Sequence, residues 1–293
     1  MYEIVKNYRN NDALRASFNA LSKATFGLEF ETWYRNGYWG EKYNPYSIVV
    51  DGQVVANVSV NTTDMLWDGS RKHFLQLGTV MTAKPYRRQG MIRRIMEEIE
   101  KDYGQDVDGI YLFANDSVLD FYPKFGFRTE KEYQYTKKIA PQEGENGRID
   151  TLVQVPMREK SAWMQLEHAI LNSASQSRLA LTDNIGLLMF YVTGFMQENV
   201  YYDREQEAYV IAETEGEEVL IHNIFSGRQV DPGRIAAAFG ENIRQVRLGF
   251  TPVCAEGYTM SEVREEDTTL FIKEKAFDEF EKEKLMIPTL AHA

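Results

Sequence analysis

Arg87, Arg88, Gln89, Gly90, Met91 and Ile92 are consecutive residues whose types and spacing could do chemistry. A glycine-containing loop that opens a helix presents unpaired backbone N–H groups and the positive end of the helix dipole, which together suit a pyrophosphate. Gly90 lets backbone approach phosphate closely, and Arg87, Arg88, Arg93 and Arg94 add positive potential around it. The helix is readable from its pattern. Met91 or Ile92, then Ile95, Met96 and Ile99, share one face, while Arg93/Glu97 and Arg94/Glu98 are i,i+4 pairs on the other. Those pairs give Arg93 and Arg94 a plain alternative as solvated surface charges. Further on, Asn115 and Ser117 follow an apolar run, and Phe121, Tyr122, Pro123, Lys124, Phe125, Gly126 and Phe127 close the stretch. Tyr122 carries a phenol among phenylalanines, so it reads either as a proton carrier or as one more core ring.

The elements that must position these groups follow from period and punctuation. Largely apolar runs at 75–81 and 110–114 predict strands before the loop and after its helix. Upstream, Asp51-Gly52 joins strand-like runs at 47–50 and 53–61, and a second turn lies at Asp68-Gly69-Ser70. Asn11 or Asp12 can cap a first helix carrying Leu14, Phe18 and Leu21 at helical spacing. The first half, residues 1–140, is therefore a mixed α/β domain. Residues 140–150 are polar and breaker-rich, which places a boundary there. Beyond it, helices are expected around Trp163, Leu166 and Ile170 and over 187–196. Strands are expected at 199–202, 208–213 and 218–225, with strands near 246–250 and 269–273 finishing the half. Asp231-Pro232 is a helix start. The second half, 150–293, thus repeats the plan of the first without repeating its sequence.

Composition narrows the classes. The 293 residues suit two domains of ordinary size. The formal charge of −11 argues against a nucleic-acid partner and leans towards a cationic small molecule. No apolar run is long enough to span a bilayer, and the first residues lack a signal-peptide core, so a cytoplasmic protein without a membrane partner is expected. A lone cysteine, Cys254, excludes an internal disulfide. His73, His168 and His222 lack metal-ligand spacing and read as structural, so no metal is expected.

The loop at 87–92 and the element at 121–127 together resemble the GNAT superfamily of N-acetyltransferases. The loop matches the R/Q-x-x-G-x-G/A signature at its arginine and first glycine, and the later element resembles Y-x-x-x-G-F. Ile92 stands where most members carry glycine or alanine. Two arginines, any residue, glycine, two aliphatic residues and an arginine is a form similar to the enhanced intracellular survival (Eis) group of aminoglycoside and lysine acetyltransferases. In that group a GNAT domain is followed by a second, degenerate copy of the fold, and a third domain resembling a sterol carrier finds no room in 293 residues. The fold implied is a mixed-sheet GNAT domain followed by a degenerate GNAT-like domain without a CoA loop. A negative Asp231 at the equivalent helix start would repel a pyrophosphate.

The resemblance implies acetyl-CoA as acyl donor and a small-molecule or peptide amine as acceptor, attacked directly in a ternary complex, with a homo-oligomer possible. Arg87 to Ile92 and Arg93 would hold the pyrophosphate. Val80, Met81 and Thr82 would pair with the pantetheine arm and polarise the thioester carbonyl through a backbone N–H. Asn115 and Ser117 would hydrogen-bond the arm, or serve as turn residues. Tyr122 would return a proton to the leaving thiolate. Many relatives carry a glutamate on the strand before the loop, where this chain has Gln76 and Thr79. Glu29, Glu31, Asp64 and, as in the Eis-like group, the terminal carboxylate on Ala293 are the candidate bases. The aromatic segment 26–46, with Glu29, Glu31 and Glu41, is expected to form a pocket for a cationic amine. A reading of another class is a catalytically silent acyl-CoA-binding sensor that keeps the fold.

Overall fold

The computed structural model describes residues 3–140 and 151–292. The first half supplies β1 (Glu3–Val5), α1 (Asp12–Phe26), α2 (Glu31–Arg35), β2 (Tyr43–Val50), β3 (Gln53–Trp67), β4 (Ser70–Thr82), α3 (Met91–Tyr103), β5 (Gly109–Ala114), β6 (Arg128–Thr129) and β7 (Tyr133–Lys138). The second supplies β8 (Leu152–Gln154), α4 (Lys160–Leu171), β9 (Leu179–Leu181), α5 (Ile185–Thr193), β10 (Val200–Asp203), β11 (Ala208–Glu215), β12 (Glu218–Phe225), α6 (Pro232–Ala237), β13 (Gln245–Leu248), β14 (Thr259–Glu262) and β15 (Thr269–Lys273). Among the described residues no helix is long and apolar enough to cross a membrane.

Two Asp-Gly turns frame the first sheet. Asp51 and Gly52, like Asp68 and Gly69, all have positive φ, the pairing that matches the twist of a tight hairpin. Both hairpins run longer than the expected strands. β3 reaches Trp67 and β4 starts at Ser70 because β9, from the second half, pairs with Met65–Trp67, and Phe277, Phe280 and Leu285 cover the same arm. Met91, Ile95, Met96 and Ile99 of α3 pack on Ile48, Val58, Leu75 and Leu112, as the helical period predicts. Burying each such side chain contributes about 1.5–3 kcal/mol.

The first sheet runs β1-β2-β3-β4-β5-β15-β6, and the second β14-β7-β13-β12-β11-β10-β8. In the first, an antiparallel meander β2-β3-β4 leads through α3 to β5, parallel to β4. In the second, the meander β10-β11-β12 leads through α6 to β13, parallel to β12. The same plan is present twice. The expectation that strand 269–273 finishes the second half is not met: β15 lies antiparallel between β5 and β6. Its three central residues, Leu270, Phe271 and Ile272, are buried, so the strand has apolar surface to give to both faces of the first sheet. Reciprocally β7, which precedes the linker, pairs with β13 and β14 in the second sheet.

The chain then returns between the sheets. Leu285, Ile287, Leu290 and Ala291 are buried there. The Ile287 N–H donates to the Glu132 carboxyl (2.8 Å), the Thr289 N–H to the Gly249 carbonyl (2.9 Å), and the Tyr111 hydroxyl to the Ala291 carbonyl (2.9 Å). Gly249 is needed for this passage, since a Cβ there would lie 2.5 Å from Thr289 Oγ1.

Candidate active site

The parallel pair β4/β5 is hydrogen-bonded only over Phe74–Gln76 and Gly109–Tyr111. Beyond those residues β4 runs on to Thr82 and β5 to Ala114, and the two strands part. At the parting β4 carries a bulge. Asn57 faces Met81 and Ser59 faces Gly78, so Val58 stands opposite two residues, Thr79 and Val80. Thr79 has φ +48°, a strained value for a β-branched residue that costs on the order of 1–3 kcal/mol. The Thr79 and Tyr43 hydroxyls lie 2.7 Å apart, and Asn57 Nδ2 donates to the Thr79 carbonyl (2.9 Å), which holds the distortion in place. Bulges take a residue out of the ladder and re-aim it, here towards the gap. The spacing of apolar residues in 75–81 does not reveal it, and the missed signal is the Gly78-Thr79 pair, which breaks the alternation of Leu75-Gln76-Leu77.

Gly90 follows in the left-handed conformation (φ +74°, ψ 11°) and starts α3 with no side chain capping the helix. Arg88 also has positive φ. The turn therefore leaves the first N–H groups of α3 without a side-chain partner, the condition in which a helix start receives an anion.

One cavity of about 890 Å³ occupies the gap. Its lining joins Val80, Met81, Thr82, Arg87, Arg88, Ile92, Asn115, Ser117 and Tyr122, so nine of the expected site residues meet there. Four expected residues do not line it. Gln89 Nε2 donates to the Pro85 carbonyl (3.1 Å), Gly90 forms the turn itself, Met91 is buried under the helix, and Arg93 sits over the Phe125 ring at 5.3 Å. Gly90 and Met91 can serve a ligand here through backbone alone. Ala293 lies outside the described residues.

The Tyr122 ring packs against Phe121, Phe127 and Phe271, and burial pushes its hydroxyl up to about 12. Among the described residues no group hydrogen-bonds that hydroxyl. It stays protonated at neutral pH and is free to donate.

This chain's sequence matches the acetyltransferase (GNAT) domain family over residues 9–129. Those residues form a GNAT acetyltransferase domain. N-alpha-acetyltransferase 50 of Danio rerio is 39% identical over 75 residues, which are 23% of this chain and 44% of that protein. The chain thus spans less than half the length of that relative. Among solved structures, a conserved protein of Enterococcus faecalis V583 described as a probable N-acyltransferase superposes with a TM-score of 0.62 at 16% identity, covering 94% of this chain and 72% of its own. Eis1 from Mycobacterium abscessus gives 0.57 at 14% identity, over 96% and 75%. At these identities the likeness is one of fold, and it extends through both halves.

The other wall of the cavity in the GNAT domain is aromatic. Phe26, Phe30, Trp33 and Tyr43 come from the segment expected to build the acceptor pocket, whereas Trp39 and Tyr46 are core rings that do not line it. Leu187, Phe190, Tyr191 and Phe195, in and just after α5, close the cavity from the second half. Trp33 Nε1 donates to the Gly186 carbonyl (2.7 Å) and fastens α5 to the aromatic segment. His292 completes the wall, stacked on Phe113 with ring centroids 3.7 Å apart, while the Tyr191 hydroxyl donates to its carbonyl. Burial pushes the His292 imidazole down to about 4, so it is neutral.

The acidic residues expected near the acceptor are elsewhere. Glu29 pairs with Lys23 (3.3 Å), and Glu31 with Arg15 (2.8 Å) and Arg35 (2.9 Å), around a separate surface hollow. Glu41 is exposed beside Arg9, and Asp64 binds His73 (2.5 Å) near the start of β4. The side chain of α1 that faces Glu31 is Arg15, which captures it before it can turn inward.

Proposed function

We propose that the chain is an acetyl-CoA-dependent N-acetyltransferase that passes the acetyl group directly to a primary amine while both substrates are bound. The observation that carries this reading is the meeting, in one cavity, of the parted β4/β5 strands, Arg87 and Arg88, and the buried phenol of Tyr122. The donor supplies an activated acetyl thioester. Arg87, Arg88 and the backbone of 90–93 are the groups that fit its pyrophosphate, and Val80 to Thr82 with Asn115 and Ser117 fit its arm. Backbone N–H at the bulge, which Tyr43 and Asn57 hold, would polarise a carbonyl without needing to reorganise. Tyr122 holds a proton for the departing sulfur.

For the proton that the attacking ammonium must lose, the terminal carboxylate is the proposed acceptor. Ala293 follows His292, whose ring lines the cavity, and no Asp or Glu among the described residues does so. The alternative of a silent sensor draws support from that same lack of a lining carboxylate. Calorimetric titration with acetyl-CoA, followed by a thiol-release assay over a panel of amines, separates them. Tight binding with no thiol released from any amine, and with Tyr122→Phe indistinguishable from the parent, leaves only the sensor.

A further inference from the structure

We infer that the acceptor is a monoamine on an aromatic body, an arylalkylamine in chemical class, and not a polycation. This deepens the acetyltransferase reading and rests on it. The acceptor half of the cavity is built of rings: Phe30 and Phe190 are stacked at 5.3 Å with planes 13° apart, and Phe195 meets Phe190 edge-on at 5.8 Å. Its mouth is apolar too. Phe26, Leu28 and Phe195 line the cavity yet are 43%, 39% and 63% exposed. A cluster of large apolar side chains left in water around a cavity entrance marks a surface shaped for an apolar ligand.

Charge points the same way. Among the described residues the charged side chains that line the cavity are Arg87 and Arg88, both at the donor's end, and His292 is neutral, so no acid among them faces the acceptor. Each acid that could have served a polyamine is committed outside: Glu29 to Lys23, Glu31 to Arg15 and Arg35, Glu41 to Arg9, and Glu167 to the Tyr38 hydroxyl. One terminal carboxylate can meet one ammonium. A second and third would be stripped of water against phenyl faces with no anion to replace it. A single ammonium beside Trp33 and Tyr43 has ring faces, and its aromatic body finds edge-to-face partners in Phe30, Phe190 and Phe195.

The chemistry balances with this class. The amine nitrogen bonds to the acetyl carbon, the carbon–sulfur bond breaks, and the sulfur leaves with the electron pair and takes the Tyr122 proton. Starting from the ammonium, the nitrogen loses two protons: one passes to the proposed terminal carboxylate and on to water before attack, and the second, released as the amide forms, returns through water to Tyr122. The products are an N-acetyl amide and free thiol.

The test compares 2-phenylethylamine and tryptamine with spermine and kanamycin at saturating acetyl-CoA, by thiol release. The aromatic monoamines should show kcat/KM about tenfold higher or more, equivalent to about 1.4 kcal/mol. Phe195→Ala, at an exposed ring, should raise KM for 2-phenylethylamine roughly three- to tenfold and leave KM for acetyl-CoA unchanged. Phe195→Glu should shift the ratio towards spermine. A higher kcat/KM for spermine or kanamycin overturns the inference, as does an unchanged KM for 2-phenylethylamine in Phe195→Ala. Should no amine release thiol, the catalytic reading fails on its own. Quenching of tryptophan fluorescence in the presence of CoA then decides the acceptor class: tighter binding of 2-phenylethylamine upholds it, and tighter spermine binding, or none of either, rejects it.

Discussion

Tyr122→Phe removes one oxygen from the cavity and nothing else. The ring keeps its contacts with Phe121, Phe127 and Phe271, at centroid distances of 5.3, 6.2 and 5.4 Å. The lost hydroxyl has no hydrogen-bond partner among the described residues, so folding stability should be unchanged or slightly raised. Catalysis should not be so tolerant. A positioned general acid is worth about 10²- to 10⁴-fold, which corresponds to about 3–5 kcal/mol of barrier. The whole of it should appear in kcat, with KM for acetyl-CoA unchanged, because the proton moves only as the sulfur departs. The elevated hydroxyl, at about 12, also predicts no descending limb in the pH–rate profile of the parent below about pH 10. Steady-state thiol release, paired with a thermal melt of each protein, makes the measurement. A variant within twofold of the parent would refute the assignment, and a descending limb near pH 8 would mean that some other acid is at work.

Three more outcomes follow from the geometry. Gly90→Ala meets no atom within 4 Å but must hold φ +74°, so it should cost about 1 kcal/mol and raise KM for acetyl-CoA while sparing kcat; an unchanged KM would remove the turn from the donor site. Burial raises Glu132 from 4.5 to about 8, so the folded protein holds a proton that the unfolded chain releases. Its contribution is complete below pH 4.5 and is lost as pH rises towards 8, by up to about 1.4 kcal/mol per pH unit. Glu132→Gln keeps an acceptor for Ile287 and should flatten that slope in denaturant titrations at pH 5 and 8, and an equal slope in both proteins would contradict it. Adding a single glycine after Ala293 moves the terminal carboxylate while leaving the buried run to Ala291 intact, and should lower kcat by about 10²-fold or more with little change in melting temperature; full activity would exclude the carboxylate as base.

Local signals were the legible ones. Gly90 and the i, i+4 rows of α3, the two Asp-Gly turns, the Asn11 cap and the run of 269–273 each announce themselves within a few residues, because turn sterics and helical period act at that range. What escaped depends on distant partners. The span of β3 to Trp67 depends on β9, and the sheet that β15 joins depends on the bare edge of β5. Phe190 and Tyr191 read only as buried helix, since period cannot tell a ring facing a core from one facing a cavity. Glu29 and Glu31 lie in the expected segment, yet Arg15 and Lys23, from the preceding helix, decide which way they face.

Because β15 completes the edge of β5, the first sheet is an unfinished object for most of translation. Thr269 to Lys273 must be synthesised, and some 150 residues of intervening chain looped out, before the edge beside Ala114 is covered. Pairing at that range is slow to close and leaves an unpaired strand open to other chains in the meantime. A fragment ending near residue 140, which keeps β5 but lacks β15, should therefore emerge as aggregate where the whole chain emerges folded.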